Sequence, residues 1–428
     1  MSRTRAAGLA PSVDMNPLLL KPQSDRSAQV VVHGRAVSTL DAADYMARRD
    51  TLLGAVMESF QRLRHAHDLV LVEGAGSPAE INLRQRDIAN MGFARPADVP
   101  VCLLGDIDRG GVIAALVGTR AVIDTDDAAL IVSFAINKFR GDPALFSDGV
   151  REIEARTGWP CRGVIPWLEA VRALPSEDAV ILEQPDTGAT VSSRNLKVVA
   201  PMLSRIANFD DADPLRMEPD VDFRFIPPGQ PLPRDADVVA LLGTKSTLGD
   251  LAFLRQQGWE HDILAHARSG GRVLGVCGGY QMLGRLIRDP EGVDGSSAEA
   301  PGLGLLEVDT LMSGDKSVRP VRGHCARDGD AVQGYEIHMG ETTGPDTVRP
   351  MLQLEHGADG ARSADGRISG CYVHGLFASD EFRHAWLRRA GSAASALDYE
   401  AAVDGALDAL ADGLEQALDV DALLGDAR

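Results

Sequence analysis

Short, unbroken runs of valine, isoleucine and leucine recur along this chain, each stopping at a glycine, aspartate or asparagine. DLVLVEGAGS (68–77), VPVCLLGDIDRGG (99–111) and ALIVSFAINKFRGD (129–142) are the first three. A strand with one wet face alternates apolar and polar residues, whereas a strand apolar throughout must be covered on both faces. Each run is followed by a longer segment able to cross back as a helix. That is the grammar of an open, parallel α/β sheet. A second series follows with LKVVAPML (196–203), VDFRFI (221–226), DADVVALLGTKST (235–247), GGRVLGVCGGY (270–280) and GRISGCYVHGLF (366–377).

Between the two series EQPDTGATVSSRN (183–195) is polar and rich in Gly, Pro and Ser, as an interdomain linker would be. The reading is therefore α/β, with two parallel-sheet domains: residues 1–185, a linker over 186–195, a second domain over 196–390, and a C-terminal segment over 391–428. A length of 428 residues suits two such cores. The Gly- and Asp-rich stretch 285–335 reads as loop. In the C-terminal segment Val403, Leu407, Leu410, Leu414 and Leu418 recur at spacings of three and four, which predicts an amphipathic packing helix with an acidic outer face.

The net charge of −19 argues against nucleic acid or an anionic membrane as a partner, although a local basic loop could still hold an anionic substrate. Five scattered cysteines without CxxC spacing predict neither a disulfide framework nor a zinc site and suit a reducing cytoplasm. No secretory h-region is visible and no apolar run is long enough to span a bilayer.

GGRVLGVCGGYQMLG (270–284) carries Gly275-Val276-Cys277-Gly278-Gly279, a G-x-C-x-G after an apolar strand and before a helix-compatible segment. This is the nucleophile-elbow arrangement with sulfur in place of oxygen. The helix behind it would aim free N–H groups at the thiol, and the Gly278 N–H could donate to an oxyanion. Taken alone, the motif leaves two readings open: a nucleophile, or a small buried cysteine in a tight bend. A thiol nucleophile needs a base, and His374 in GCYVHGLF ends a later strand, where it can converge with Cys277 on one sheet edge. Gly243 and Thr244 in LLGTKST could complete an oxyanion hole or form an ordinary strand-to-helix turn.

GGRVLGVCGGYQMLG, DVVALLGTKSTLGDLAFLR, GYEIHMGET (334–342) and GCYVHGLF together resemble the glutamine amidotransferase domain of the cobyric acid synthase family. PSVDMNPLLLKPQSD (11–25), VVVHGRAV (30–37), VEGAGSPAEINL (72–83), GDIDRGGVIAALVGT (105–119) and INKFRGD (136–142) resemble the same family's synthetase domain, which is similar to dethiobiotin synthetase and belongs to the P-loop NTPase class. The resemblance implies Cys277 as nucleophile and His374 as base. Most class I glutamine amidotransferases carry a glutamate two residues after the histidine; here that residue is Leu376, a departure shared by the cobyric acid and cobyrinic acid diamide synthases. It leaves a dyad whose orienting group is unassigned. Glu336 and His338 are substrate-proximal possibilities.

In the first domain Glu73 is placed at a strand end, where a carboxylate could hold Mg²⁺ on a nucleotide's phosphates. Asp106 and Asp108 end the next strand, with Arg109, Gly110 and Gly111 able to approach an anion, and Asn137 resembles the asparagine that reads adenine in related synthetases. The cofactors implied are ATP and Mg²⁺. The family's G-x-x-x-x-G-K-[ST] loop is absent from the sequence, and GTKST (243–247) is no substitute, so weak or no ATP binding and a residual glutaminase are expected. The activity implied is ATP-dependent amidation of the b, d, e and g carboxylates of cobyrinic acid a,c-diamide with ammonia from glutamine. Two alternatives remain open: cobyrinic acid a,c-diamide synthase, and a pseudoenzyme with glutaminase activity only or none.

Overall fold

The structure, a computed structural model, describes residues 2–22, 27–175, 196–294, 299–393 and 396–427. The predicted linker over 183–195 lies outside the described residues. The chain divides into two units: Met1–Arg172 with Ala406–Arg428, and Ala173–Gly405.

In the first unit an antiparallel sheet joins β1 (Leu18–Pro22), β2 (Ser27–Val32) and β3 (Arg35–Asp41). A parallel sheet joins β4 (Val101–Asp106), β5 (Ile131–Phe139) and β6 (Cys161–Pro166) in that order. Phe134 and Ile136 on β5 are fully buried, and Leu116 and Ile153 of the crossover helices Val112–Val122 and Ser147–Thr157 join the same cluster. Apolar burial of this kind is the main force holding strand to helix. The register sets Asp106 beside Asn137, so both end at the same edge.

The run 68–77 forms no strand, which corrects the sequence reading. A strand holds its shape only through a hydrogen-bonded neighbour, and none of the described strands pairs with this segment. Most of its apolar side chains face outward, with Leu71 88% exposed, while Val70 packs against the cluster of Phe60, Phe93 and Ala97. Glu73 therefore loses its predicted place at a strand end.

The helix Tyr399–Ala417 buries Val403, but Leu418 lies beyond its end, where it forms an isolated bridge with Gly163. Arg162 and Asp426 pair through two bonds, Nε–Oδ2 at 2.8 Å and Nη2–Oδ1 at 2.6 Å.

The second unit is built on β7 (Leu196–Pro201), β8 (Val221–Ile226), β9 (Val238–Leu241), β10 (Arg272–Val276), β17 (Ala361–Arg362) and β18 (Ile368–Cys371), in the order β17-β18-β10-β9-β7-β8. All neighbours are parallel except β17 with β18. β7, β9 and β10 are buried almost throughout, as unbroken Val/Leu/Ala runs require.

A second sheet contains β11 (Leu286–Arg288), β12 (Glu299–Pro301), β13 (Asp309–Cys325), β14 (Ala331–Thr343), β15 (Leu352–Leu354), β16 (Gly357–Asp359) and β19 (Val373–His374). The stretch 285–335, read as loop, thus supplies two short strands and most of a long antiparallel hairpin, β13 with β14. A bulge between Leu311 and Lys316 shifts the register and breaks the period-two pattern that marks a strand in sequence.

Candidate functional site

Cys277 occupies the turn between β10 and the helix Gly278–Leu283, with φ 52° and ψ −111°. A non-glycine side chain in the left-handed half of φ is strained, and such strain persists only where the surroundings fix it. Here they do. The Cys277 N–H donates to the Cys371 carbonyl at 2.8 Å, and a Cβ on Gly279 would stand 2.0 Å from the Leu241 carbonyl oxygen. The bend raises the thiol above the sheet edge, where Sγ donates to the Ile337 carbonyl of β14 at 3.6 Å.

His374 reaches the same edge from β19, which pairs with β14 so that His374 lies opposite Tyr335. The Tyr335 ring stacks on the imidazole at 5.4 Å between centroids, and the Asn208 amide donates to the Tyr335 hydroxyl at 2.7 Å. His374 is 1% exposed. Its Nδ1 donates to Asp211 Oδ2 at 2.7 Å, and Oδ1 of the same carboxylate accepts the Gly375 N–H at 2.7 Å. Burial disfavours the charged imidazolium, but the Asp211 carboxylate and Cys277 together push the His374 pKa up to about 10. Among the described residues Nε2 makes no hydrogen bond, and it is buried.

Asp211 is the orienting group that sequence reasoning left unassigned. It comes from the short helix Phe209–Ala212, well before His374 in the chain. Leu376 occupies a core position instead. The only sequence signal was the acidic run NFDDADP (208–214) shortly after an apolar strand. Burial and the neighbouring carboxylates of Asp211 and Asp213 push Asp210 up to about 6.

Gly243 follows β9, and a Cβ on it would lie 2.9 Å from His374 Cε1. A Cβ on Gly278 would lie 2.5 Å from Thr244 Cγ2. The LLGTKST loop, the elbow and the imidazole therefore border one another. Gly278 opens its helix, where N–H groups have no partner within the helix. Glu336 is buried and accepts from Arg319 Nε at 2.7 Å, with His356 Nε2 at 3.3 Å from its other oxygen. The His338 ring stacks on Tyr372 at 3.8 Å, and burial lowers its pKa. Both residues flank Ile337, whose carbonyl meets the thiol.

In the first unit Asp106 and Asn137 are brought together and Glu73 lies in the exposed, irregular segment after Ala66. Asp106 accepts from Lys138 Nζ at 2.7 Å and from the Asp108 N–H at 3.0 Å, and its pKa is lowered chiefly by Lys138. Arg140 Nε pairs with Asp108 at 2.7 Å. Adjacent ends of parallel strands carrying a carboxylate and an amide fit the polar groups of a nucleotide. Lys245 of GTKST lies after β9 in the second unit.

A model of the CobB/CobQ-like glutamine amidotransferase domain matches residues 197–382, and one of the CobQ/CobB/MinD/ParA nucleotide binding domain matches residues 14–181. The chain is 67% identical to a cobyric acid synthase of Hyphomonas neptunium over 423 residues, covering 98% of this chain and 84% of that one. It is 61% identical to a cobyric acid synthase of Paracoccus denitrificans, covering 100% of this chain and 87% of the relative. The chain belongs to the cobyric acid synthase family. The family models match residues in both units, so the β4–β5 edge and the Cys277 edge of β10 belong to one chain of that family. All five cysteines are free thiols. Among the described residues no helix is long and apolar enough to cross a membrane.

Proposed function

We propose that this chain amidates corrinoid carboxylates, the b, d, e and g side chains of cobyrinic acid a,c-diamide, with ammonia released from glutamine at Cys277. High identity to cobyric acid synthases along almost the whole chain supports the overall reaction. The observation that carries the site is the His374–Asp211 bond beside a strained cysteine.

In this reading Cys277 Sγ attacks the side-chain amide carbon of glutamine and pushes the carbonyl electrons onto oxygen. The Gly278 N–H, with Gly243 and Thr244 alongside, receives that charge. Sγ attacks as the thiolate, its proton having passed to His374 Nε2 while Asp211 fixes Nδ1 as the other donor, and the imidazolium gives this proton to the leaving nitrogen. Ammonia departs and a thioester remains. Water, deprotonated by the now neutral imidazole, cleaves the thioester to glutamate and restores the thiol.

Asp106 and Asn137, side by side at one strand edge, are the residues assigned to ATP; Glu73, in an exposed irregular segment, is left out of that set. When bound there, the nucleotide supplies the phosphoryl group that activates a corrinoid carboxylate toward ammonia.

The test is glutamine hydrolysis by the full chain, with the mass of the corrinoid product followed when a,c-diamide and Mg-ATP are added. Cys277→Ala is expected to abolish glutamine hydrolysis and any amidation driven by glutamine. Unchanged hydrolysis in that variant would overturn the assignment.

A further inference from the structure

The parallel sheet of the second unit has two edges, and Cys277 occupies only one. At the other edge β9, β10 and β18 begin around a cleft of about 50 Å³ lined by Arg272, Arg327, Arg362, Arg367 and Arg389, with Ser369 beside them. β10 runs from Arg272 to Val276, which puts one strand length, about 16 Å, between this cleft and the thiol. The cleft is therefore separate from the glutaminase site.

Five guanidinium groups around one small cleft stand out in a chain of net charge −19. Among the described residues the carboxylates that meet them are few. Asp328 lies 3.6 Å from Arg327, Asp330 lies 3.2 Å from Arg389 and Asp365 lies 3.8 Å from Arg367. Asp328 also pairs with Arg389. Arg272 and Arg362 bond to main-chain carbonyls instead: Arg272 Nη2 to Arg389 O at 2.6 Å, and Arg362 Nε to Pro350 O at 3.0 Å. Burial, and then repulsion from Arg367, Arg327 and Arg389, lowers the pKa of the Arg272 guanidinium. Arginine stays charged regardless, so that repulsion is carried by the folded chain. Cys325, Asp328 and Asp330 on the rim hold their ligand atoms within 4.8 Å of one another, but Arg389 already engages both aspartates.

The volume narrows the ligand. A water needs roughly 10–15 Å³ of such space, so the cleft holds a few waters or one small ion, whereas nucleotide-sized molecules need about 300 Å³ or more. Guanidinium forks match the oxygen spacing of a tetrahedral oxyanion, and a dianion would neutralise the charge that the three carboxylates leave over. We propose that this arginine-lined cleft binds a free tetrahedral oxyanion of the phosphate type and that occupancy stabilises the second unit.

Isothermal titration of sodium phosphate into the full chain, at ionic strength held constant with chloride, tests this directly. Saturable binding of one phosphate per chain is expected, weakened roughly tenfold or more in Arg272→Gln. Arg327 is half exposed and bonds only at the surface, so Arg327→Gln keeps the test sound if the buried substitution prevents folding; it too is expected to weaken binding. Heats no different from chloride, or wild-type affinity in the folded variants, would overturn the proposal.

Discussion

The carboxylate of Asp211 does two jobs, and both bear on the charge of His374. One oxygen fixes Nδ1 as a donor and the other ties down the Gly375 backbone, so the ring can neither flip nor drift. Below about pH 6.5 a histidine is protonated whether or not the chain is folded. From there to about pH 10 only the folded chain holds the proton, and above that the proton is lost. The raised value therefore stabilises the fold in full below about pH 6.5, and that contribution declines as pH rises toward about 10. Glutaminase activity that needs the imidazolium as acid is expected to fall on an alkaline limb near pH 10. Asp211→Asn should move that limb toward the ordinary histidine range and cut kcat roughly a hundredfold or more. A pH–rate profile of the variant checks both; an unmoved limb would assign Asp211 a purely structural role. Glycine-flanked strand ends and the family resemblance together single out Cys277 and His374 in the sequence, and both meet β14, at Ile337 and Tyr335. Asp211 is not singled out, because an acidic run in a short helix looks in sequence like any solvated turn.

The elbow works only because two backbones approach more closely than side chains permit. The helix Gly278–Leu283 rests on β9 so tightly that Gly279 has no room for a methyl group against the Leu241 carbonyl. Gly279→Ala should force that helix outward at about 2 kcal/mol, seen as a fall of roughly 4–8 °C in the melting of the second unit. Glutamine hydrolysis should fall with it, because the thiol would leave the Ile337 carbonyl. Calorimetry together with an activity assay separates this from a local effect on the thiol. The same scale shows where pattern reading succeeds and fails. β7, β9 and β10 are apolar on both faces and buried on both, so composition located them. The β13–β14 hairpin is half polar and interrupted by a bulge, so its strands passed for loop, although β14 delivers Glu336, Ile337 and His338 to the site. The segment 68–77 fails in the opposite direction: it has a strand's composition, but no described strand lends it hydrogen bonds.

Across the whole molecule the chain makes one unit from two separated stretches. Residues 406–428 cluster with 1–172, while 173–405 form the glutaminase-bearing unit between them. Sequence periodicity located the C-terminal helix but could not say which unit it serves, because an amphipathic stripe fits any apolar surface of the right width. The attachment lies at its end. Leu418 bridges Gly163, the Asp419 N–H donates to the Arg162 carbonyl at 2.7 Å, and Arg162 forks onto Asp426. Both partners of that fork are largely shielded, with side chains 17% and 18% exposed, so the pair is worth more than an open surface contact, about 1–2 kcal/mol. A protein built this way should melt in two transitions, since two-state behaviour holds for single domains and fails across several. Arg162→Ala combined with Asp426→Ala removes both charges together and leaves neither buried alone. The transition of the first unit should drop by a few degrees while that of the second, and the glutaminase rate at Cys277, stay where they were. Differential scanning calorimetry beside a glutamine hydrolysis assay reads both. If the two transitions move together, the units share one cooperative core, and the C-terminal stretch is holding more than the unit it returns to.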